Sequence, residues 1–151
     1  LVRVGPQRMA RLQRADDILA NHGVHVAGTD FDRRVSLAAL MPLLGYGALG
    51  PARPGEAPRE IPSGIYFDLA TWHLINTVYS PGRVAELRRM RDFYGDAQLH
   101  QRLMRAVSLR LGHALAAKAE EAKIAVAEGG AAPVALDDIE PGLQALLDEA
   151  T

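Results

Sequence analysis

The chain has 151 residues, 48% of them apolar, with 17 basic against 18 acidic side chains and a net charge of −1; that suits one domain and argues against a dedicated polyanion binder. It has no cysteine, which excludes disulfides and thiolate metal sites and fits a reducing, cytoplasmic compartment. No apolar run approaches the ~20 residues of a membrane span, and Leu1 begins neither an initiator methionine nor a signal peptide, so the chain reads as a piece of a longer protein.

Residues Leu1 to Val4 alternate into Gly5-Pro6, and a second run goes from Met9 towards Ala20, a pattern that fits a strand, a tight turn and a longer strand. Met9, Leu12, Ala15 and Leu19 also recur at helical spacing ahead of Gly23, so a helix is the rival reading there. His22 and His25 form an HxxH with no third ligand near them, a poor basis for a metal site.

At Gly28-Thr29-Asp30-Phe31-Asp32 the chain is predicted to turn into a helix that runs to about Leu44, with Phe31, Val35, Ala38, Ala39 and Leu43 on one face. Thr29 and Asp32 make a capping-box pattern, and both aspartates lie where the helix dipole favours negative charge. Gly28, just before that cap, is a place where a ligand can approach the backbone closely. From Gly45 to Gly64 the segment holds five glycines and four prolines and is expected to be a mobile surface loop. Its Gly45 and Gly47 do not make a nucleotide loop, because they follow a helix and do not lead from strand to helix.

A third helix is predicted over Tyr66 to Tyr79, with Leu69, Trp72, Ile75 and Val78 at core spacing; Trp72 fits core or interface packing, ahead of a ligand platform. Ser80-Pro81 then ends it and opens a fourth, RVAELRRMRDF, which exposes Arg88, Arg89 and Arg91. Those arginines read as a solvated face, since the chain has too few aromatics to build a nucleic-acid stacking surface beside them.

Residues Asp96 to Gly130 read as one long helix. Asp96 caps it, Leu103, Val107, Leu111, Ala114 and Ala122 form an apolar stripe, and Gly129-Gly130 supply the left-handed exit. Near its end Glu120, Lys123, Ile124 and Ala127 fall at i, i+3, i+4 and i+7, so one face carries a carboxylate, an ammonium and small apolar surface together. After it, APVALDDI and LQALLDEAT flank Glu140-Pro141-Gly142, a closing hairpin, although LQALLDEA also fits a short helix. No P-loop, HExxH or GxSxG occurs, and self-contained catalysis is not expected.

Two separated stretches carry a family resemblance. ILANHGVHVAGTDFD, Ile18 to Asp32, resembles the strand and "THLGGEDFD" turn of the seventy-kilodalton heat-shock (DnaK-type) chaperones, and AEEAKIAVA, Ala119 to Ala127, resembles that family's "ERAKRTLS" helix end in the right order. GTDFD…LMPLLGYG, the long insertion over about 45 to 95 and the AEESKIALS-type ending are similar to its YegD-like subgroup. The resemblance implies the upper subdomain of the second lobe of an actin-like ATPase: an α+β unit, a small antiparallel sheet with packed helices. In that scheme 1–44 holds sheet and first helix, 45–95 the loop and inserted helices, 96–128 the long helix and 131–151 the closing hairpin. It also favours strands over a helix for Met9 to Ala20.

The resemblance further implies that this subdomain holds the adenosine of ATP or ADP. Gly28 would supply the close backbone approach, Glu120 the polar group near the ribose hydroxyls and Lys123 a flank of the adenosine, while Ile124 and Ala127 would face the base. Ile124 stands where the family has an arginine stacking on adenine, Ala127 where it has a serine that bonds the base, and Ala27 where it has the first glycine of a pair. Base recognition is therefore expected to be weaker. Magnesium carboxylates, phosphate loops and the catalytic lysine would lie in the parent protein, an ATP hydrolase, leaving this segment inactive alone. Expected partners are the remainder of the ATPase domain and a nucleotide-exchange factor or co-chaperone, with no nucleic acid and no membrane. The alternative is a non-enzymatic helical adaptor that binds a protein through Trp72, Tyr79 and the Arg88 to Arg91 face.

Overall fold

The structure, a computed structural model, describes residues 28–52 and 54–148. The strands expected over residues 1–20, the His22 and His25 pair and Ala27 lie outside the described residues. What is described is α+β: mostly helical, with a two-stranded antiparallel sheet. Among the described residues no helix is long and apolar enough to cross a membrane.

The first helix, α1 (Gly28–Val35), runs on through a π-helical turn, Ser36–Leu40, and a 3₁₀ turn, Met41–Leu44, and stops at Gly45, whose φ of 113° is left-handed. Its length matches the expectation, but its buried face does not. The wide π turn shifts the helical phase, so Ser36, Leu40, Met41 and Leu44 are buried. Phe31 is 51% exposed and Ala38 is exposed, while Val35, Ala39 and Leu43 are half-buried. Thr29 lies inside the first turn and not at the cap position.

The Gly- and Pro-rich segment that follows is paired at its base, contrary to the expected free loop. Leu49 and Glu60 form an antiparallel bridge, and Gly50 N donates to the Arg59 carbonyl at 2.8 Å. Ile61 is buried and its N–H donates to the Ala48 carbonyl at 3.0 Å.

The predicted third helix is two, α2 (Gly64–Ala70) and α3 (Ile75–Val78). Thr71 Oγ1 donates back to the Phe67 carbonyl at 2.7 Å and the Thr71 backbone turns extended, which ends the helix by offering its last turn a side-chain donor. Leu69, Ile75 and Val78 stay in the core, but Trp72 is carried out into solvent. Pro81 opens α4 (Pro81–Arg89) with the extended Ser80 before it, as the sequence indicates.

The long helix is also broken. Asp96 caps α5 (Ala97–Ser108) by accepting from Gln98 N at 2.8 Å. Three residues later the chain restarts as α6 (Gly112–Gly129). Arg110 adopts φ 55°. Leu111 N donates to the Ala106 carbonyl at 2.9 Å and Arg110 N to the Val107 carbonyl at 3.1 Å, the paired bonds of a Schellman ending with arginine where glycine is usual. Arg110 also sits over the Tyr79 ring, 5.7 Å from its centroid. Residues Gly129 and Gly130 take φ 144° and 102°, ending α6 where the glycine pair predicts.

Beyond α6, β1 (Ala132–Ala135) and β2 (Gln144–Leu147) pair antiparallel, with Ala132 opposite Leu147 and Val134 opposite Ala145. These four are buried and the alternate positions exposed, so one face of the hairpin lies on the core and packs against α6. Glu140 at its tip accepts two bonds from Arg102 of α5, at 2.6 and 3.0 Å, and one from Gln98 at 2.9 Å. That guanidinium holds the Glu140 carboxyl down at about 2.

Two hydroxyls fix the middle of the core. Tyr66 donates to the Leu44 carbonyl at 3.2 Å and lies 2.7 Å from the Tyr94 hydroxyl, so both bonds are made together when Tyr94 donates to Tyr66. Burial pushes the Tyr66 phenol far above its ordinary range and raises that of Tyr94 as well. Around them Leu40, Met41, Leu44, Leu69 and Leu103 are fully buried, each contributing about 1.5–3 kcal/mol relative to exposure. His100 is likewise satisfied inside, its Nε2 donating to the Leu87 carbonyl at 2.9 Å.

Candidate functional site

Helices α1 and α6 pack together, and this contact joins the two stretches that the sequence singles out. Lys123 Nζ donates to Asp32 Oδ1 at 2.5 Å, with both side chains half-buried. Beside that pair opens a cleft of about 230 Å³, lined by Thr29 and Asp32 of α1, Ala70 and Trp72 at the end of α2, and Ala116 and Glu120 of α6. Ala116 and Glu120 are one turn apart on the same side of their helix.

The chemistry of these six positions is uneven. Ala70 and Ala116 make a small, apolar floor. The Asp32 carboxylate is engaged by Lys123, whereas Glu120, among the described residues, has no hydrogen bond or ion pair. Thr29 adds a hydroxyl at the rim. Trp72 is 57% exposed and stands edge-on to His113, ring centroids 4.6 Å apart at 67°. Behind it His113 Nε2 donates to Asn76 Oδ1 at 3.3 Å. The indole is thus braced on one side and open on the other.

Each residue singled out from the sequence has a definite place. Gly28 is the exposed first residue of α1, and a Cβ built there would meet nothing within 4 Å among the described residues. Glu120 lines the cleft, and Lys123 flanks it through Asp32. Ile124 is 49% exposed and Ala127 is exposed; neither is among the residues lining the cleft. The structure therefore brings the Gly28 end of α1 to Glu120 and Lys123, and leaves Ile124 and Ala127 on the outer continuation of that face. Sequence reasoning missed Ala70, Ala116 and Asp32 as cleft residues and assigned Trp72 to packing. Thr71 beside the tryptophan was the available signal, because a threonine that back-bonds can end the helix there.

A wider depression formed by Gln101, Arg102, Arg105, Ile139, Glu140 and Pro141 lies at the hairpin tip. Arg102 there is paired with Glu140, and Arg105 Nε donates to the Asp138 carbonyl at 2.9 Å. Among the described residues no group of three or more His, Asp or Glu side chains could hold a metal ion. The α1–α6 cleft offers acceptors, a hydroxyl and an aromatic face, which is equipment for binding. No protein-family model matches this chain, and no solved structure matches it.

Proposed function

We propose that the chain is an adenosine-binding subdomain of a heat-shock-like chaperone ATPase, the upper part of the second lobe of an actin-like domain, and that it works in the cytoplasm. The observation that supports this reading is the cleft: the GTDFD stretch that opens α1 and the AEEAKIAVA stretch that ends α6 meet at it, and Glu120 lines it without a hydrogen bond or ion pair among the described residues. A carboxylate that accepts two ribose hydroxyls contributes chiefly through the donors it satisfies. Glu120 would take that role, Thr29 would border the sugar, and Lys123 would hold Asp32 while flanking the adenosine. Gly28 leaves the approach open, since no side chain stands there.

The residues present fit a nucleoside and not a triphosphate. At about 230 Å³ the cleft is below the roughly 300–1,000 Å³ of a complete small-ligand site. It is one wall of a slot whose other wall, with the phosphate and magnesium ligands, would belong to the rest of the ATPase domain. That remainder and a nucleotide-exchange factor or co-chaperone are the partners this reading requires. ATP hydrolysis belongs to the parent protein, with this chain alone inactive.

Titration of ADP into the 151-residue chain, followed by amide chemical shifts, tests the proposal. Saturating shifts at Thr29, Asp32, Glu120 and Lys123 are expected, with a Kd on the order of millimolar for half a site, and Glu120→Ala should abolish saturation. Silence at those amides sinks it.

A second reading, a helical adaptor for a protein partner, is favoured by the exposure of Trp72 and of Arg88 and Arg89 at the end of α4 and Arg91 just after it. Tyr79 does not join that surface: it is half-buried, and its hydroxyl accepts from Gly112 N at 2.9 Å. This reading expects no response to nucleotide.

A further inference from the structure

We infer that Trp72 is the base-recognition wall of the cleft, the surface on which a purine stacks while Glu120 holds the sugar. The inference rests on the nucleoside reading and moves base recognition from Ile124 and Ala127 of α6 to the segment between α2 and α3. Three observations carry it. Trp72 lines the same cleft as Glu120, whereas Ile124 and Ala127 do not. The indole is 57% exposed in a chain where tryptophan occurs once, so its position is not dictated by filling the core. Its ring is held by the edge contact with His113 and by the extended backbone at Thr71, so a base that stacks on the open face finds a wall already in place.

The chemistry selects the ligand class. An aromatic wall, a two-alanine floor and one unengaged carboxylate suit a flat, π-rich base attached to a vicinal diol. Stacking tolerates many bases but grows with ring area, so purine nucleosides should bind ahead of pyrimidine nucleosides. Base recognition is then possible without the stacking arginine that the resembling family uses.

Because tryptophan occurs once, its emission reports on this position alone. ADP and then CDP are titrated into the chain and into Trp72→Phe and Trp72→Leu variants, with indole fluorescence and amide shifts read together and far-UV circular dichroism checking each fold. Expected are quenching of Trp72 that saturates with the Glu120 amide shift, near-parental affinity in Trp72→Phe, and a loss of roughly fivefold or more in Trp72→Leu. CDP should bind more weakly than ADP. Should Glu120 and Lys123 shift with ADP while the indole stays unquenched and Trp72→Leu binds as well as the parent, the stacking role is overturned and the nucleoside reading stands. If no amide responds, both fall. Should ADP and CDP bind alike, purine selectivity is overturned.

Discussion

The two ends of α6 are held by different means. At its start Gly112 is jammed against α3 and α2: a Cβ there would lie 2.5 Å from Ile75 Cγ2, 2.6 Å from the Tyr79 hydroxyl and 3.3 Å from Leu69 Cδ2. Its N–H, which no helical carbonyl could accept, is taken by Tyr79. Towards its end the same helix presents Glu120, Ile124 and Ala127 exposed, tied to α1 through the Lys123 to Asp32 contact. Shape complementarity fixes the first end, so little could bind there. The Lys123 to Asp32 ion pair and an open cleft mark the other, which is where polar groups remain available to something else.

The contrast can be broken most sharply at the glycines. Gly112→Ala should cost about 2 kcal/mol or more, since an added methyl in a filled core forces neighbours off their rotamers, whereas Gly28→Ala should stay within about 0.5 kcal/mol. Urea denaturation of both variants measures the gap, and equal costs would contradict the account of α6. Next in size is Tyr66→Phe, which leaves the Leu44 carbonyl and the Tyr94 hydroxyl without their partner inside the core. About 1–3 kcal/mol is expected, and Tyr94→Phe should cost less because Tyr66 can still donate to Leu44.

Glu140 gives a pH-resolved test away from either end. Its folded carboxyl lies at about 2 against an ordinary 4.5, so the stabilisation it provides is complete above about 4.5 and disappears as the pH falls to about 2. Thermal midpoints of parent and Glu140→Gln, measured from pH 6 down to 2, should therefore converge at the acid end. A difference that stayed constant across that window would remove the ion pair as its cause. The smallest effect is expected for Arg110→Gly. Relief of a left-handed non-glycine residue, about 1 kcal/mol, is offset by the lost contact over Tyr79, about 0.5–1 kcal/mol, and by a more flexible unfolded chain. The net change should lie within about 0.5 kcal/mol in a calorimeter.

Local signals with a chemical mechanism were readable in the sequence: the Asp96 cap, Pro81 at a helix start, the Gly129-Gly130 exit and the paired segments around the Glu140-Pro141-Gly142 tip. Phase was harder. The π turn over Ser36–Leu40 rotates the first helix, so Leu40, Met41 and Leu44 face inward where Val35, Ala38, Ala39 and Leu43 fit a uniform period. The break after Ser108 was hidden because its left-handed residue is an arginine, and because Gly112 in isolation looks like a tolerated glycine within a helix. At the cleft, the spacing of Glu120 and Lys123 put both on one face, but it could not show that Asp32 would claim the lysine. Nor could helical spacing show that Trp72 leaves the core, since Thr71 ends the periodicity on which that expectation rested.

The restart at Gly112 also decides how strain travels. With Arg110 left-handed, α5 and α6 share no continuous hydrogen-bond ladder, so a tilt of α6 is not transmitted along α5 as along one rod. Gly112 bears instead on Ile75 and Tyr79, the short helix that lies between Trp72 and α4. A load placed on the cleft wall is therefore passed sideways, into residues 75–79 and the arginine-bearing helix beyond them.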